Sequence, residues 1–249
     1  MKNPILPKIA VIAGVGSGLG GALARRFVRE GCQVALLARS IEYIGTLASE
    51  LNGKCKSDVA HAIRCDLTDP KQISTAFAKI RKEVGPVDLL VNHASGGGGP
   101  GGSSLVDLDP ASFEHAWRVG VYGALLCSRE AARDMLSPNH HLGGTIIFTG
   151  ATSSVRGASI AFSSAKFASR GLAQAMAREL WPQGIHVAHV IIDGIIGDAE
   201  DQSPAEDANH EPQMHSDAIA DVYWQLIRQE RSAWTLELDL RPNREKFFE

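Results

Sequence analysis

The sequence predicts a doubly wound α/β fold, in which one parallel sheet of about seven strands has helices on both faces. Three observations favour it. Short, almost continuously apolar runs alternate with longer segments of helical period. The first apolar run leads directly into a glycine-rich turn and a helix. No shift in composition marks a second domain, so residues 1–249 are expected to form a single domain.

The N-terminal part of the chain alternates strands and helices. It begins with the apolar run KIAVIA, and a helical segment follows in which Leu19, Leu23 and Phe27 share one face and Gly31 ends the helix. A second strand, a second helix and a third strand come next. In order, these elements are predicted at 8–13, 18–30, 33–38, 41–51 and 61–65.

The rest of the chain continues the pattern with longer helices. Asp69 is placed to cap a third helix with Pro70 in its first turn, and Asp109–Pro110 repeat this signal before a helix expected to reach Leu136. Residues 193–215 have no period and are rich in Asp, Glu and Pro, which predicts a mobile lid. The remaining elements are predicted at 86–92, 110–136, 144–150, 158–181, 185–192, 217–230 and 234–240.

The composition argues against several classes of function. A net charge of −3 with scattered Lys and Arg is not typical of a nucleic-acid-binding surface. No apolar stretch reaches the roughly 20 residues that span a bilayer, and the first apolar run ends in a glycine turn, which indicates a strand rather than a secretory signal. The cysteines form no CxxC pair and the histidines have no ligand spacing, so we expect reduced thiols, a cytoplasmic location and no metal site.

The segment GVGSGLG at 14–20 predicts a phosphate-binding turn. Gly14, Gly18 and Gly20 allow a tight turn and a close approach of the backbone to a phosphate. The helix that begins there offers unpaired N–H groups and the positive end of its dipole. Because the motif lies between a strand and a helix, we expect it to bind a nucleotide, with a purely structural tight turn as the alternative.

The spacing G-x-x-x-G-x-G resembles that of the short-chain dehydrogenase/reductase family. Further marks of that family are CDL at 65–67, NHA at 92–94, Lys166, and DG at 193–194, in this order over nearly the whole chain. The resemblance implies a Rossmann fold and an NAD(P)-dependent oxidoreductase with a small-molecule substrate. It also implies a homodimer or homotetramer.

The family resemblance further implies where a cofactor would bind. Asp66 and Leu67 would lie by the adenine, Asn92 and Ala94 would line the cleft, and Lys166 would hold the hydroxyls of the nicotinamide ribose. The full set of expected cofactor-binding residues is Gly14, Gly16, Ser17, Gly18, Leu19, Gly20, Arg39, Ser40, Asp66, Leu67, Asn92, His93, Ala94, Lys166, Gly194 and Ile196.

The residues after the second predicted strand favour NADP(H) over NAD(H). An NAD site usually has an Asp or Glu there to bind the ribose hydroxyls, but the strand ends in Ala38-Arg39-Ser40. Arg39 can pair with a 2′-phosphate, and Ser40 can donate a further hydrogen bond. The alternative is an exposed arginine without a ligand.

The catalytic set departs from the family pattern. The family uses a Tyr as acid, a Lys one turn later that lowers the pKa of the Tyr, a Ser that binds the substrate oxygen and an Asn that supports a proton relay. Lys166 matches, but Phe162 and Gly120 occupy the Tyr and Asn positions. Strand register puts Ala151 at the Ser position, whereas counting back from Phe162 gives Thr149. We prefer the register because strands resist insertion better than loops.

Three functions therefore stay open: a redox enzyme with rearranged chemistry, a cofactor-binding protein without turnover, and a non-redox enzyme that uses the same cleft. In the first, Lys166 could act as the acid if burial lowers its pKa. An already polarised substrate, such as an enone, would need less help from an acid. Other candidate proton donors are Thr149, Thr152, Ser153, Ser163, Tyr122 and His93.

Two carboxylates replace family residues after the sixth predicted strand. Asp193 occupies the position of a Pro, and Asp198 that of a Thr. A carboxylate beside the cofactor phosphates would repel them unless the lid turns it outward, so this feature predicts weaker cofactor binding.

Apolar residues lie on more than one face of the two long predicted helices at 110–136 and 158–181. Because one face of each helix must cover the sheet, the other is expected to pack against a second subunit. The residues on which this expectation rests are Trp117, Val121, Leu125, Phe167, Leu172 and Met176.

Overall fold

A computed structural model describes residues 6–97, 103–138, 143–197 and 213–244. The strands, numbered in chain order, are β1 (Ile9–Ala13), β2 (Gln33–Ala38), β3 (Ala60–Arg64), β4 (Leu89–Asn92), β5 (Gly144–Thr149), β6 (Ile185–Ile192), β7 (Ile195–Gly197), β8 (Gln213–His215) and β9 (Glu237–Leu240). Seven of them form a parallel sheet in the order β3-β2-β1-β4-β5-β6-β9. The order changes direction at β1, so the predicted doubly wound fold is confirmed.

Helices cover both faces of this sheet. They are α1 (Leu19–Arg29), α2 (Ile41–Cys55), α3 (Pro70–Glu83), α4 (Pro110–Trp117), α5 (Ala124–Met135), α6 (Ile160–Leu180) and α7 (Ser216–Ile227). One apolar core lies under α1, α2 and α7, where the Phe27 ring contacts Trp224. The other lies under α3, α5 and α6 and contains Phe77 and Phe148. Strand β1 is buried at every position, which explains its continuous apolar run.

The capping residues account for two of the helix starts. The carboxylates of Asp69 and Asp109 each accept hydrogen bonds from two backbone N–H groups of the first turn, and a proline follows each cap as predicted. Helix α2 is longer than expected. It ends at Cys55 instead of residue 51, and Lys56 closes it in the left-handed region with a φ of 53°.

The long helix predicted at 110–136 is confirmed over 110–135, but its middle has a wider turn than an α-helix. A π-helical turn, Arg118–Gly123, separates α4 from α5. A Cβ on Gly123 would lie 2.6 Å from the carbonyl oxygen of Leu67, so the backbones approach closely at this point. That close contact, together with the low helix propensity of Gly120 and Gly123, accounts for the widened turn.

The segment predicted as a lid without regular structure, 193–215, has strands at both described ends. Strands β7 and β8 pair in parallel, with Ile195 opposite Gln213 and Gly197 opposite His215. The middle of the segment lies outside the described residues, as do 98–102 and 245–249. The mobility of the lid therefore stays a prediction.

The apolar faces expected at a subunit interface are partly used within the chain. Val121 is buried, and Leu172 and Met176 are partly buried against the core under α6, so these three residues belong to the faces that cover the sheet. Trp117, Leu125 and Phe167 are instead exposed. Their neighbours on the same helices turn inward because α5 and α6 must cover the sheet.

The fold brings the carboxyl ends of β1 to β6 to one edge of the sheet. In doubly wound sheets this edge holds ligands near the point where the strand order reverses, which here lies between β1 and β4. None of the helices in the described ranges combines the length and apolar character of a membrane span. Within the same ranges, no three His, Cys, Asp or Glu side chains are grouped to hold a metal ion.

Candidate functional site

A cleft of about 580 Å³ lies along the carboxyl edge of the sheet. Most of the residues predicted to bind a cofactor line it, although they come from strands that are distant in the sequence. These residues are Gly14, Gly16, Arg39, Ser40, Asp66, Leu67, His93, Ala94, Lys166, Gly194 and Ile196. The cleft also has apolar walls that we did not predict, among them Val119 and Ile192. The sequence could have indicated Ile192 as part of the cleft wall, because this residue lies at the carboxyl end of a predicted buried strand.

The glycine turn forms part of the wall of the cleft. Gly14 has a φ of +100°, and a Cβ there would lie 2.5 Å from the Ala94 Cα atom, so both its conformation and its surroundings require glycine. Gly16 and Gly18 face open space, since a Cβ on either would meet no atom within 4 Å. Helix α1 begins at Leu19 with no carboxylate in its first turn. This arrangement leaves the positive end of α1 open to an anion.

The other predicted residues of the turn can contribute through their backbone. The Leu19 side chain is buried in the core under α1, so its N–H group is the part available to a ligand. Gly20 lies against the preceding turn, because a Cβ on it would be 3.0 Å from the Val15 Cα atom. Ser17 is exposed beside them.

The end of β2 presents the charges expected near an adenine ribose. Arg39 is exposed and lines the cleft. Ser40 lines it too, but its hydroxyl donates a hydrogen bond to the Glu42 carboxylate, a partner that we did not predict. Asp66 accepts hydrogen bonds from the backbone N–H and the hydroxyl of Thr68 at 2.9 and 2.8 Å. These bonds, with a smaller contribution from Arg39, lower the pKa of Asp66 and keep it ionised.

Lys166 also lines the cleft, from the buried face of α6. Its Nζ atom donates a hydrogen bond to the Thr149 carbonyl at 2.8 Å and lies 5.5 Å from the centre of the Phe162 ring. Burial disfavours the charged form and lowers the pKa of Lys166 to about 8. Phe162 and Ala151 line the cleft beside it. The sequence expectation that Phe162 stands one turn before the lysine is thus realised as a ring against an ammonium group.

Thr149 also lines the cleft, and its hydroxyl is engaged on both sides. The oxygen is 2.9 Å from the Tyr223 hydroxyl and 3.2 Å from Nδ1 of His93. Burial, with a contribution from the charge of Lys166, lowers the pKa of His93 to about 4. We did not predict Tyr223, because a tyrosine on the apolar face of a helix has the same sequence pattern as any core residue.

Two expected residues lie beside the cleft and not on its main wall. The Asn92 amide turns toward α5 and donates a hydrogen bond to Ser128 Oγ at 2.9 Å, and the place of Asn92 in the cofactor cleft stays a prediction. Gly120, in the π-helical turn, lines a cavity of about 10 Å³ together with Asn92, Thr149 and Lys166. Sequence could not show this, because Asn92 ends a strand whose alternate side chains point to opposite faces.

Asp193 has two arginine partners that we did not predict, and their charges compensate its own, so its effect on cofactor binding stays a prediction. Asp193 is buried and pairs with Arg156 at 3.1 Å and with Arg241, and it accepts a hydrogen bond from the Thr152 hydroxyl. Asp198, the second replaced position, lies outside the described residues. A buried carboxylate paired in this way joins the loop after β5 to the chain after β9.

Four other candidate proton donors do not line the described wall of the cleft. The Thr152 hydroxyl is bonded to Asp193, and the Ser163 hydroxyl accepts the Ala158 N–H at 2.8 Å. Ser153 is buried, and Tyr122 lies in the π-helical turn. Among the groups that we proposed from the sequence, Lys166, Thr149 and His93 are therefore the ones that the fold brings together.

Comparisons with known proteins agree with this architecture. A family model described as short chain dehydrogenase matches residues 8–207. A D-xylose 1-dehydrogenase from Caulobacter vibrioides is 32% identical over 197 residues, which cover 77% of this chain and 75% of that protein. A short-chain dehydrogenase from Rhodopseudomonas palustris has a TM-score of 0.78 at 31% identity, with 94% of this chain and 98% of that chain covered. A blue fluorescent protein from a metagenomic library, solved with NADPH, has a TM-score of 0.76 at 25% identity, with 94% and 96% covered.

The chain covers only part of several other curated relatives. The matched segments span 56%, 27% and 51% of the lengths of three of them. The family model nevertheless matches most of this chain, and the glycine turn and Lys166 that suggested the family lie in one cleft. The chain belongs to the short-chain dehydrogenase family.

Proposed function

We propose that the chain is an NADP(H)-dependent oxidoreductase whose substrate is a small carbonyl compound or enone. One observation carries the proposal: a single cleft is lined both by the glycine turn at the open N-terminus of α1 and by the buried ammonium group of Lys166. A relative named as a dehydrogenase supports redox chemistry, and a similar structure solved with NADPH supports the choice of cofactor.

The residues present fit a dinucleotide. The space beside Gly16 and Gly18 and the N–H groups at the head of α1 would hold the pyrophosphate. Arg39 would pair with a 2′-phosphate, Asp66 would lie by the adenine, and Lys166 would hold the nicotinamide ribose. When bound, the nicotinamide supplies or accepts the hydride.

Lys166 is the group to which we assign proton transfer. Phe162 has no proton to give, and a pKa of about 8 places the Lys166 ammonium group near the pH at which a general acid works best. Hydrogen bonding to the Thr149 carbonyl fixes the position of Nζ in the wall of the cleft. Its proton would go to the substrate as the reduced bond forms, and the lysine would regain a proton from water. An enone or another polarised substrate suits such a weak acid.

A second function, cofactor binding without turnover, is favoured by one specific observation. Phe162 and Ala151 line the cleft beside Lys166, and neither side chain has a proton or a hydrogen bond to offer a substrate oxygen. In this case Lys166 would hold the cofactor and nothing would react, and the chain would act as a sensor or partner subunit.

Calorimetric titration with NADPH and NADH tests the cofactor assignment. We expect the wild type to bind NADPH about tenfold or more tightly than NADH, because the Arg39 guanidinium forms a charge-assisted hydrogen bond with the 2′-phosphate. Arg39→Ser should remove this preference by weakening NADPH binding alone. Arg29→Ser, at the exposed far end of α1, is the control for the loss of one positive charge. Equal wild-type affinities would contradict the NADP preference, and no binding of either cofactor at millimolar concentration would overturn the proposed function.

We also propose that the chain assembles as a homodimer or homotetramer through α4, α5 and α6. Trp117, Leu125 and Phe167 are 42%, 38% and 43% exposed on these helices, and exposed large apolar side chains are candidates for an interface. Light scattering coupled to size exclusion is expected to give twice or four times the mass of the chain. A monomer at micromolar protein concentration would contradict the assembly.

A further inference from the structure

Three side chains form a hydrogen-bonded chain that runs from the core to the cleft. The Tyr223 hydroxyl, on α7, is 2.9 Å from Thr149 Oγ1 at the end of β5. The same Thr149 oxygen is 3.2 Å from Nδ1 of His93, which follows β4. Tyr223 is fully buried, whereas the His93 ring lines the cleft. Because Nδ1 is turned to Thr149, Nε2 is the ring nitrogen left for the cleft.

The number of hydrogens on the three side chains determines which of them donates each hydrogen bond. A phenol, a threonine hydroxyl and a neutral imidazole each have one hydrogen to donate. Within the described residues, the Tyr223 hydroxyl has Thr149 as its hydrogen-bond partner and no other, and a buried donor without an acceptor is unfavourable. Tyr223 therefore donates to Thr149, and Thr149 donates its own hydrogen to Nδ1 of His93. The hydrogen of a neutral His93 is then on Nε2.

The surroundings keep His93 neutral. Burial is the main cause that lowers its pKa to about 4, and the positive charge of Lys166 acts in the same direction. Burial also raises the pKa of Tyr223, so its hydroxyl keeps the hydrogen that begins the chain. At neutral pH the imidazole thus has one donor and one acceptor nitrogen, and the hydrogen bond from the Thr149 hydroxyl determines which of the two carries the hydrogen.

We infer that Tyr223 and Thr149 are positioning residues that hold His93 as the Nε2–H tautomer, and that this N–H donates to an oxygen of the cofactor between its pyrophosphate and its nicotinamide ring. The position of the His93 ring supports a contact with the cofactor. A Cβ on Gly20 would lie 3.4 Å from His93 Cδ2, so the ring lies against the head of α1, and Thr149 also binds Lys166 through its carbonyl. The contact between His93 and the cofactor rests on the proposed function, whereas the assignment of the His93 tautomer does not.

The tautomer is tested on the full chain without cofactor. Long-range ¹H–¹⁵N spectra distinguish protonated from bare ring nitrogens, and His93→Gln identifies the His93 signals. We expect Nε2 of His93 to be protonated and Nδ1 to be bare at neutral pH. Thr149→Val removes the hydrogen-bond donor to Nδ1, so the ¹⁵N signal of Nδ1 should shift toward that of a bare nitrogen without a hydrogen bond, whereas Thr149→Ser should keep the wild-type signal. Tyr223→Phe should populate the Nδ1–H tautomer in part, because Thr149 no longer has to accept a hydrogen bond from the phenol. A protonated Nδ1 in the wild type, or no change in either variant, overturns the inference.

The cofactor contact is tested by calorimetric titration with NADPH. We expect Thr149→Val to weaken binding about three- to tenfold, which is the size of one hydrogen bond, and Thr149→Ser to restore it. Thr145→Val, a buried threonine on the same strand, is the control. Equal affinities of the two valine variants would overturn the contact. If the wild type binds no NADPH, the proposed function and the contact both fail, whereas the tautomer is still decided by the spectra.

Discussion

Replacing Lys166 by methionine is expected to lower the rate of NADPH oxidation about 10²- to 10⁴-fold with every substrate that the wild type reduces. Methionine keeps the length and apolar stem of the side chain but removes the ammonium group that we assign as the acid. The rate is followed as the loss of NADPH absorbance with a panel of aldehydes, ketones and enones. Lys79→Met, an exposed lysine on α3, is the matched control and should leave the rate unchanged.

The pH dependence separates proton transfer by Lys166 from a merely electrostatic role. The acid must carry its proton, so the wild-type rate should be highest below pH 8 and should fall as the pH rises through about 8, where Nζ loses its proton. An unperturbed lysine, with a pKa of 10.5, would keep its proton well above that range. Lys166→Arg retains a charge but no proton that it can give up, so cofactor binding should persist without turnover. A rate that is constant between about pH 6 and 10 would contradict Lys166 as the acid.

The wild-type panel also decides between the two proposed functions. Turnover with any member of the panel rules out cofactor binding without catalysis. If NADPH binds but no member of the panel oxidises it, Lys166→Met should change the affinity for NADPH and nothing else. That result would favour the sensor or partner-subunit function.

Phe162→Tyr is expected to raise carbonyl reduction about 10²- to 10⁴-fold by supplying the missing phenol. The Phe162 ring lines the cleft, and its centre lies 5.5 Å from Nζ of Lys166. A hydroxyl on this ring would therefore reach the cleft without being buried unpaired, and the adjacent ammonium group would lower its pKa. The measurement is NADPH oxidation with ketones on which the wild type is slow or inactive.

Two further variants make the tyrosine result specific. Phe167→Tyr, on the exposed side of the same helix, adds the same hydroxyl away from the cleft and should have no effect. Ala151→Ser, added to Phe162→Tyr, supplies a hydrogen-bond donor and should give a further gain of up to about 10²- to 10³-fold. The two gains are not expected to multiply fully, because groups that act as a unit are not additive. No gain in either variant would mean that the cleft does not align a substrate carbonyl with these positions.

Local patterns in the chain were enough to predict the frame of the site. The apolar runs required a sheet covered on both faces, Asp69 and Asp109 signalled helix starts, and the glycine turn between β1 and α1 indicated where a phosphate would bind. The separation of four residues between Phe162 and Lys166 likewise placed both on one face of α6. Each of these features depends on residues that are close together in the chain, so it can be recognised from the sequence alone.

The partners of the polar groups were decided by the tertiary structure alone. Nothing near Asp193 in the chain indicates the arginines that compensate it, and Thr149 and Tyr223 are far apart in sequence although their hydroxyls are 2.9 Å apart. The hydrogen bond from Asn92 to Ser128 likewise joins two residues that are far apart in the sequence. Which face a side chain takes, and what it meets there, follows from the packing of several elements at once. The pKa of Lys166 depends on that packing too, because burial and not its sequence neighbours is the main cause that lowers it.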